Sequence, residues 1–174
     1  MKQFLSELRK TSSPGIFRKG ASLFFQGEIP RHVVIILDGV VKAYTISPDG
    51  DETIVNLYGK GSVLPTAWVN DQSPTSLFNY DAVNDVRVLK VSKADFHTTL
   101  SSNPAYQQEY LNYMMGAQAA LLLRVTGLCQ PRAIEKICYT LYFLLFRYGL
   151  ERGGDNYEID LKITQSMLAS LIGQ

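Results

Sequence analysis

Two cysteines and two histidines in 174 residues exclude a disulfide framework and any four-cysteine zinc or iron–sulfur centre. Charge of one sign is also lacking: 17 Lys+Arg stand against 16 Asp+Glu, a net charge of +1. That balance leaves no global electrostatic footprint for nucleic acid or an anionic membrane. Long apolar runs are missing too. Val33–Leu37 and Ala119–Leu123 fall far short of the ~20 residues that a membrane-spanning helix needs. The first seven residues, Met1 to Glu7, meet charge before any apolar stretch builds, which argues against a signal peptide. Enzyme signatures are absent as well: no Gly-x-Ser-x-Gly, no Gly-Lys-Ser/Thr phosphate loop, no dinucleotide fingerprint and no His-Glu-x-x-His. The expectation is a cytoplasmic, non-enzymatic protein without cofactor or metal. With 46% hydrophobic residues, it has ample material for a core.

Glycine divides what is present. Seven of the 13 glycines fall between Gly15 and Gly61, and none between Ser62 and Met115. Their spacing approaches the ~8–12-residue turn interval of a β-rich domain. Between and after them lie short β-branched and aromatic runs at Ser22–Phe25, His32–Leu37, Val40–Ile46, Glu52–Leu57, Phe78–Ala82 and Arg87–Val91. Pro48-Asp49-Gly50-Asp51 is a turn signal between two of them. About eight strands in sequence predict an antiparallel sandwich, jelly roll or similar barrel.

From Ala105 to Leu128 the pattern turns helical. Tyr106, Tyr110, Tyr113, Ala117, Leu121 and Val125 recur at spacings of three and four, one face of a helix. Some 25 residues make a rod of about 37 Å, longer than a small β-domain needs as cover. The other side, with Leu111, Met115 and Leu122, is also apolar. The helix either packs wholly on the sheet or forms the seam of a homodimer, and the doubled apolar surface favours the seam. Past Pro131, Arg132–Tyr148 reads as a helix ended by Gly149, followed by a loop at Glu151–Asn156 and an alternating strand, Tyr157–Leu161. Thr164 is placed to cap a last helix carrying Met167, Leu168, Leu171 and Ile172, with Gly173 at its end. Cys129 and Cys138, near helix boundaries, read as small buried apolar groups.

The ordered set Lys19-Gly20, Phe25-Gln26-Gly27-Glu28, Ile36-Leu37-Asp38-Gly39-Val40-Val41-Lys42, Ser47–Glu52 and Tyr58-Gly59-Lys60-Gly61 resembles the CRP/FNR family of regulators. The long helix and the closing run Ile163-Thr164-Gln165-Ser166-Met167-Leu168-Ala169-Ser170-Leu171-Ile172-Gly173 extend the likeness over nearly the whole chain. The resemblance implies an α+β protein. It would comprise a jelly-roll-like antiparallel β-roll sensor over residues 1–102, a dimerisation helix over 103–128 and a truncated winged helix-turn-helix over 131–174. Thr164 and Gln165 would then sit closest to DNA backbone phosphate. The family continues past this glycine into a basic recognition helix and a wing, which these residues do not include. Residues 131–174 carry five Lys/Arg and five Asp/Glu, so these 174 residues alone are expected not to bind specific DNA.

Cyclic-nucleotide binding in the family uses a Gly-Glu pair for the ribose and an Arg ten residues later for the phosphate. Here those positions hold Pro65-Thr66 and Ser76, and no Lys or Arg occurs between Lys60 and Arg87. An unpaired phosphate buried there would be prohibitive, so cyclic AMP and cyclic GMP are not expected ligands. Val63, Leu64, Thr66, Trp68, Ser76, Leu77, Phe78 and Tyr80 would line the equivalent cavity, with Leu121 and Leu122 from the helix. Such a cavity either takes an apolar or aromatic effector or is filled by its own side chains. The alternative for the whole chain is a stand-alone β-roll binding or scaffold protein without DNA function.

Overall fold

Each glycine-bounded apolar run of the N-terminal half is a strand, because its inward side chains have a second sheet to face. The computed structural model describes residues 1–174 except 160, 162 and 174, and forms two compact units, Met1–Tyr113 and Met114–Gln174.

The first unit opens with helix α1 (Lys2–Leu8) and strands β1 (Ser13–Phe17), β2 (Ser22–Phe24), β3 (Val33–Asp38), β4 (Val41–Ile46), β5 (Glu52–Tyr58) and β6 (Val63–Leu64). A four-residue helix α2 (Thr66–Val69), strands β7 (Asn79–Ala82) and β8 (Val86–Val91), and helix α3 (Lys93–Ser101) follow. The strands form two antiparallel sheets in the orders β1-β8-β3-β6 and β2-β7-β4-β5. Val34, Ile36, Leu64, Val86 and Val88 of the first meet Phe24, Val41, Ala43, Tyr80 and Ala82 of the second in one buried cluster. Val33 and Ile35, on the other face of β3, are fully buried as well. That is why β3 reads as a continuous apolar run rather than an alternating one. Phe4, Phe96 and Tyr110 form the ring cluster of the helical layer, with Phe4 and Phe96 edge to face at 5.3 Å.

Gly39, in the β3–β4 hairpin, has φ +87°, and a Cβ there would collide with the Asp85 carbonyl. Only glycine fits that turn. The sequence reading missed β1, because Pro14-Gly15 looks like a turn when read locally. In the sheet these residues lie at the edge, paired with Leu89 and Val88, where proline is tolerated.

Helix α4 (Pro104–Leu128) runs unbroken from the first unit into the second. Helix α5 (Ala133–Tyr148), a hairpin of β9 (Gly149–Gly153) and β10 (Asn156–Ile159), and helix α6 (Gln165–Ile172) complete the chain. Helix α5 packs on α6, and Phe143 and Leu144 of the one and Leu171 and Ile172 of the other are buried. Gly127 is buried in α4, where a Cβ would lie 2.7 Å from Cβ of Tyr139, so it permits a close α4–α5 approach.

Two expectations are corrected. The segment read as a loop at Glu151–Asn156 contains most of β9, which pairs with β10 through a turn at Gly153 and Gly154, both at positive φ. Its residues are almost wholly exposed, so no alternation marked it. Cys129 and Cys138 are exposed rather than buried, one just past the end of α4 and the other off the buried side of α5. The strand expected at Tyr157–Leu161 is seen as β10, while its Asp160 lies outside the described residues, as does Gln174 beyond the final turn.

Candidate functional site

The stretch from β6 through α2 is held at both ends by side chains from distant helices. At its start, Tyr113 Oη accepts a hydrogen bond from the Val63 amide at 3.1 Å. Thr66 turns back onto its own strand, its hydroxyl donating to the Val63 carbonyl at 3.0 Å. At the C-terminal end of α2, Lys93 Nζ donates to the Trp68 carbonyl at 2.7 Å, pairs with Asp71 at 2.5 Å and lies 4.7 Å from the Trp68 ring centroid. His97 Nε2 donates to the Val69 carbonyl at 2.8 Å. Cations and N–H donors suit this end of a helix, where carbonyls lack partners. The Lys93 ammonium also holds the Asp71 carboxyl below the usual carboxylate range. Tyr110 Oη donates to Asn70 Oδ1 at 3.1 Å.

Sequence reasoning missed this clasp. The Ser92–Asp95 pair, in which the Ser92 hydroxyl caps the Asp95 amide at 3.0 Å, was the available signal. It fixes the start of α3 and so puts Lys93 and His97 on one face, four residues apart. What that face touches is a tertiary matter.

The interior wall is closed. Val63 and Leu64 are fully buried, Ser76 and Tyr80 are 1% and 3% exposed, and Trp68 is buried. The Ser76 hydroxyl donates to the Phe78 carbonyl at 2.8 Å, so even the position expected to face a ligand is satisfied within the chain. Tyr80 packs edge to face on Phe24 at 5.8 Å and against Tyr58 at 5.9 Å, and Phe78 packs on the same cluster. Burial, reinforced by Tyr58, pushes the Tyr80 hydroxyl far above its usual range and keeps it neutral. Leu121 and Leu122 belong to the second unit and are exposed. Lys93 reaches the segment from α3, but it is engaged at the C-terminal end of α2.

The structure divides the predicted face of α4 in two. Tyr106, Tyr110 and Tyr113 are occupied within the first unit: Tyr106 and Tyr110 pack on Phe4, and Tyr113 stacks on Tyr110. In the second unit Ala117 is half-buried while Leu121 and Val125 are exposed, together with Met115 and Leu122 from the side named as the far one. Thr164 caps α6 as expected, its hydroxyl accepting from the Met167 amide at 3.1 Å, and both Thr164 and Gln165 are exposed. Among the described residues no group of three His, Cys, Asp or Glu converges as a metal site, and no helix is long and apolar enough to cross a membrane.

The chain matches the family described as "Cyclic nucleotide-binding domain" over residues 15–103. It is 21% identical, over 97% of its length, to the "CRP-like cAMP-activated global transcriptional regulator" of Mycobacterium tuberculosis, of which it covers 75%. It is 27% identical to the "Fumarate and nitrate reduction regulatory protein" of Vibrio cholerae, over 90% of this chain and 61% of that protein. Among solved structures, FixK2 from Bradyrhizobium japonicum aligns with a TM-score of 0.74 at 16% identity, over 93% of this chain and 77% of that one. At that identity the likeness speaks to the fold alone.

Proposed function

This chain belongs to the cyclic nucleotide-binding domain family, with CRP/FNR-type regulators as its relatives, and from that premise we propose that it is the sensing and dimerisation part of a DNA-binding transcription regulator that does not use a cyclic nucleotide. One observation carries the second half of this reading. Where a cyclic phosphate would need a cation, the chain supplies Pro65, Thr66 and Ser76, and the space is packed with Leu64, Phe78 and Tyr80. The β-roll thus holds its own filling in the position of an effector. Its state reaches α4 through two bonds, Val63 to Tyr113 and Asn70 to Tyr110, which tie the two ends of the stretch from β6 through α2 to the second and third turns of that helix.

Signalling then works through packing. A change that loosens the segment between β6 and β7 shifts the balance between two settings of α4, and hence the spacing of two DNA-reading heads in a homodimer. Thr164 and Gln165, at the exposed start of α6, would face backbone phosphate in a DNA-bound regulator. Titration calorimetry with cyclic AMP and with cyclic GMP is expected to give no saturable heat up to roughly 1 mM, the affinity of a contact worth only about 4 kcal/mol. Micromolar binding of either nucleotide would overturn the reading of the segment.

The dimer rests on a separate observation. Met115, Leu121, Leu122 and Val125 are between 46% and 62% exposed on one stretch of α4, more apolar surface than a monomeric helix leaves to water. Sedimentation of the chain is expected to show a dimer, and Met115→Glu with Leu122→Glu is expected to weaken it about 100-fold or more, as loss of a central apolar pair does. A wild-type monomer at tens of micromolar would remove the claim.

A further inference from the structure

A cleft of about 280 Å³ is lined by β1, β2, β3, β8 and the loop between β2 and β3, and by no residue of the segment between β6 and β7. Its floor is apolar: Phe17, Leu23, Phe24 and Val34. The same parity that buries Val86 and Val88 sends Lys90 of β8 to this inward side, directly across from Val34. Its ammonium lies 5.0 Å from the Phe17 ring centroid. Gly15, on the neighbouring strand, makes room for the stem, since a Cβ there would lie 2.9 Å from Cε of Lys90. Among the described residues Lys90 has no ion-pair partner, and neither do Arg31 and His32, which stand at the rim beside it. Glu28 is the one carboxylate lining the cleft, and it pairs with none of them.

A lysine turned inward over an aromatic ring, with no carboxylate to answer it, calls for an anion from outside. We propose that this cleft binds a small monocarboxylate with an apolar body. Its carboxylate meets Lys90 and Arg31, and its body lies on Phe17, Leu23 and Val34. Glu28, beside these cations, disfavours a dianion. The volume suits roughly ten to fifteen non-hydrogen atoms, the lower end of ligand pockets. Occupancy would bridge β1, β3 and β8, and it requires nothing of the segment between β6 and β7.

The probe is 3-phenylpropionate, with 3-phenylpropionamide as its uncharged twin, followed by amide chemical shifts and calorimetry on the full chain. The acid is expected to bind with a Kd of about 0.1–1 mM, in line with the efficiency of small ligands. The amide is expected to bind about tenfold weaker or worse, for want of the charge-assisted bond. Shifts should fall on Phe17, Phe24, Arg31 and Lys90, and not on residues 63–80. Lys90→Met should reduce the acid to the level of the amide, and Lys90→Arg should keep most of the affinity. Equal binding of acid and amide, unchanged binding by a folded Lys90→Met, shifts confined to 63–80, or no saturation by about 5 mM would each overturn the site. Should Lys90→Met fail to fold, the contrast of acid and amide on the wild-type chain decides.

Discussion

Arg124→Ala is expected to destabilise the second unit by about 3 kcal/mol, the largest single effect predicted for a residue outside the β-roll. Arg124 sits near the end of α4, yet it is only 4% exposed. Its Nη2 donates to the Leu171 carbonyl at 3.1 Å, at the C-terminal end of α6, and its guanidinium lies 5.7 Å from the Phe143 ring centroid. Burial alone pulls its pKa down to about 10. The guanidinium thus joins three helices of the unit: α4 that carries it, α5 whose ring it covers, and α6 whose last carbonyls it answers. Alanine removes the donor and empties the volume of the stem. Arg124→Met keeps most of that volume and loses the polar contacts of the guanidinium, so its expected cost is smaller, about 1–2 kcal/mol. Hydrogen exchange of α5 and α6 amides in the full chain measures the difference. Wild-type protection in Arg124→Ala would show that the bond contributes nothing.

The second large effect is alkaline. Between pH 10 and 12 the first unit is expected to lose stability, and Tyr110 is expected to account for much of the loss. Burial raises the Tyr110 hydroxyl to about 12, with Tyr113 adding to the rise and the bond to Asn70 opposing it. Burial and a hydrogen bond to Asp81 take Tyr44 to about 12 as well, and Tyr80 lies higher still. In the unfolded chain these groups ionise near pH 10. Above that pH the unfolded state binds fewer protons than the folded one, so stability falls until the folded groups ionise too. A rise of two units at Tyr110 corresponds to about 2.7 kcal/mol, and that residue is only 6% exposed. Tyr44 is less deeply buried and contributes less.

Tyr110→Phe sharpens the test. It gives up the bond to Asn70, about 1 kcal/mol at neutral pH, and removes a group that must otherwise ionise. The variant should therefore be less stable than wild type at pH 7 and overtake it near pH 11. Trp68, the sole tryptophan, lies in the first unit, so its fluorescence in urea reports that unit without the second. This separation matters because the titrating tyrosines Tyr44, Tyr80 and Tyr110 all lie in the first unit. A urea midpoint independent of pH between 9 and 12 would contradict the assignment.

What could be read from the chain alone was whatever depends on neighbours in sequence. Strands β2 to β5 were legible because apolar runs alternate with glycines, which only local turn geometry requires. Helix α4 was legible from its period and α6 from the Thr164 cap, since a capping hydroxyl acts within three residues. The cation-free stretch from Lys60 to Arg87 is a sequence fact, and it remains the chief argument against a cyclic phosphate.

The tertiary structure decided which surface meets which. Periodicity put Tyr106, Tyr110 and Tyr113 in line with Leu121 and Val125, but a period cannot name a partner. The fold gives the tyrosines to Phe4 and to the segment between β6 and β7, and leaves Leu121 and Val125 exposed. Lys93, His97 and Arg124 belong to the same class. Each holds a carbonyl between 25 and 47 residues away, and a contact at that separation leaves no local mark. Lys90 shows the division most plainly. Strand parity sends it inward, yet only the sheet order, which sets β8 between β1 and β3, makes that inward position the wall of a cleft.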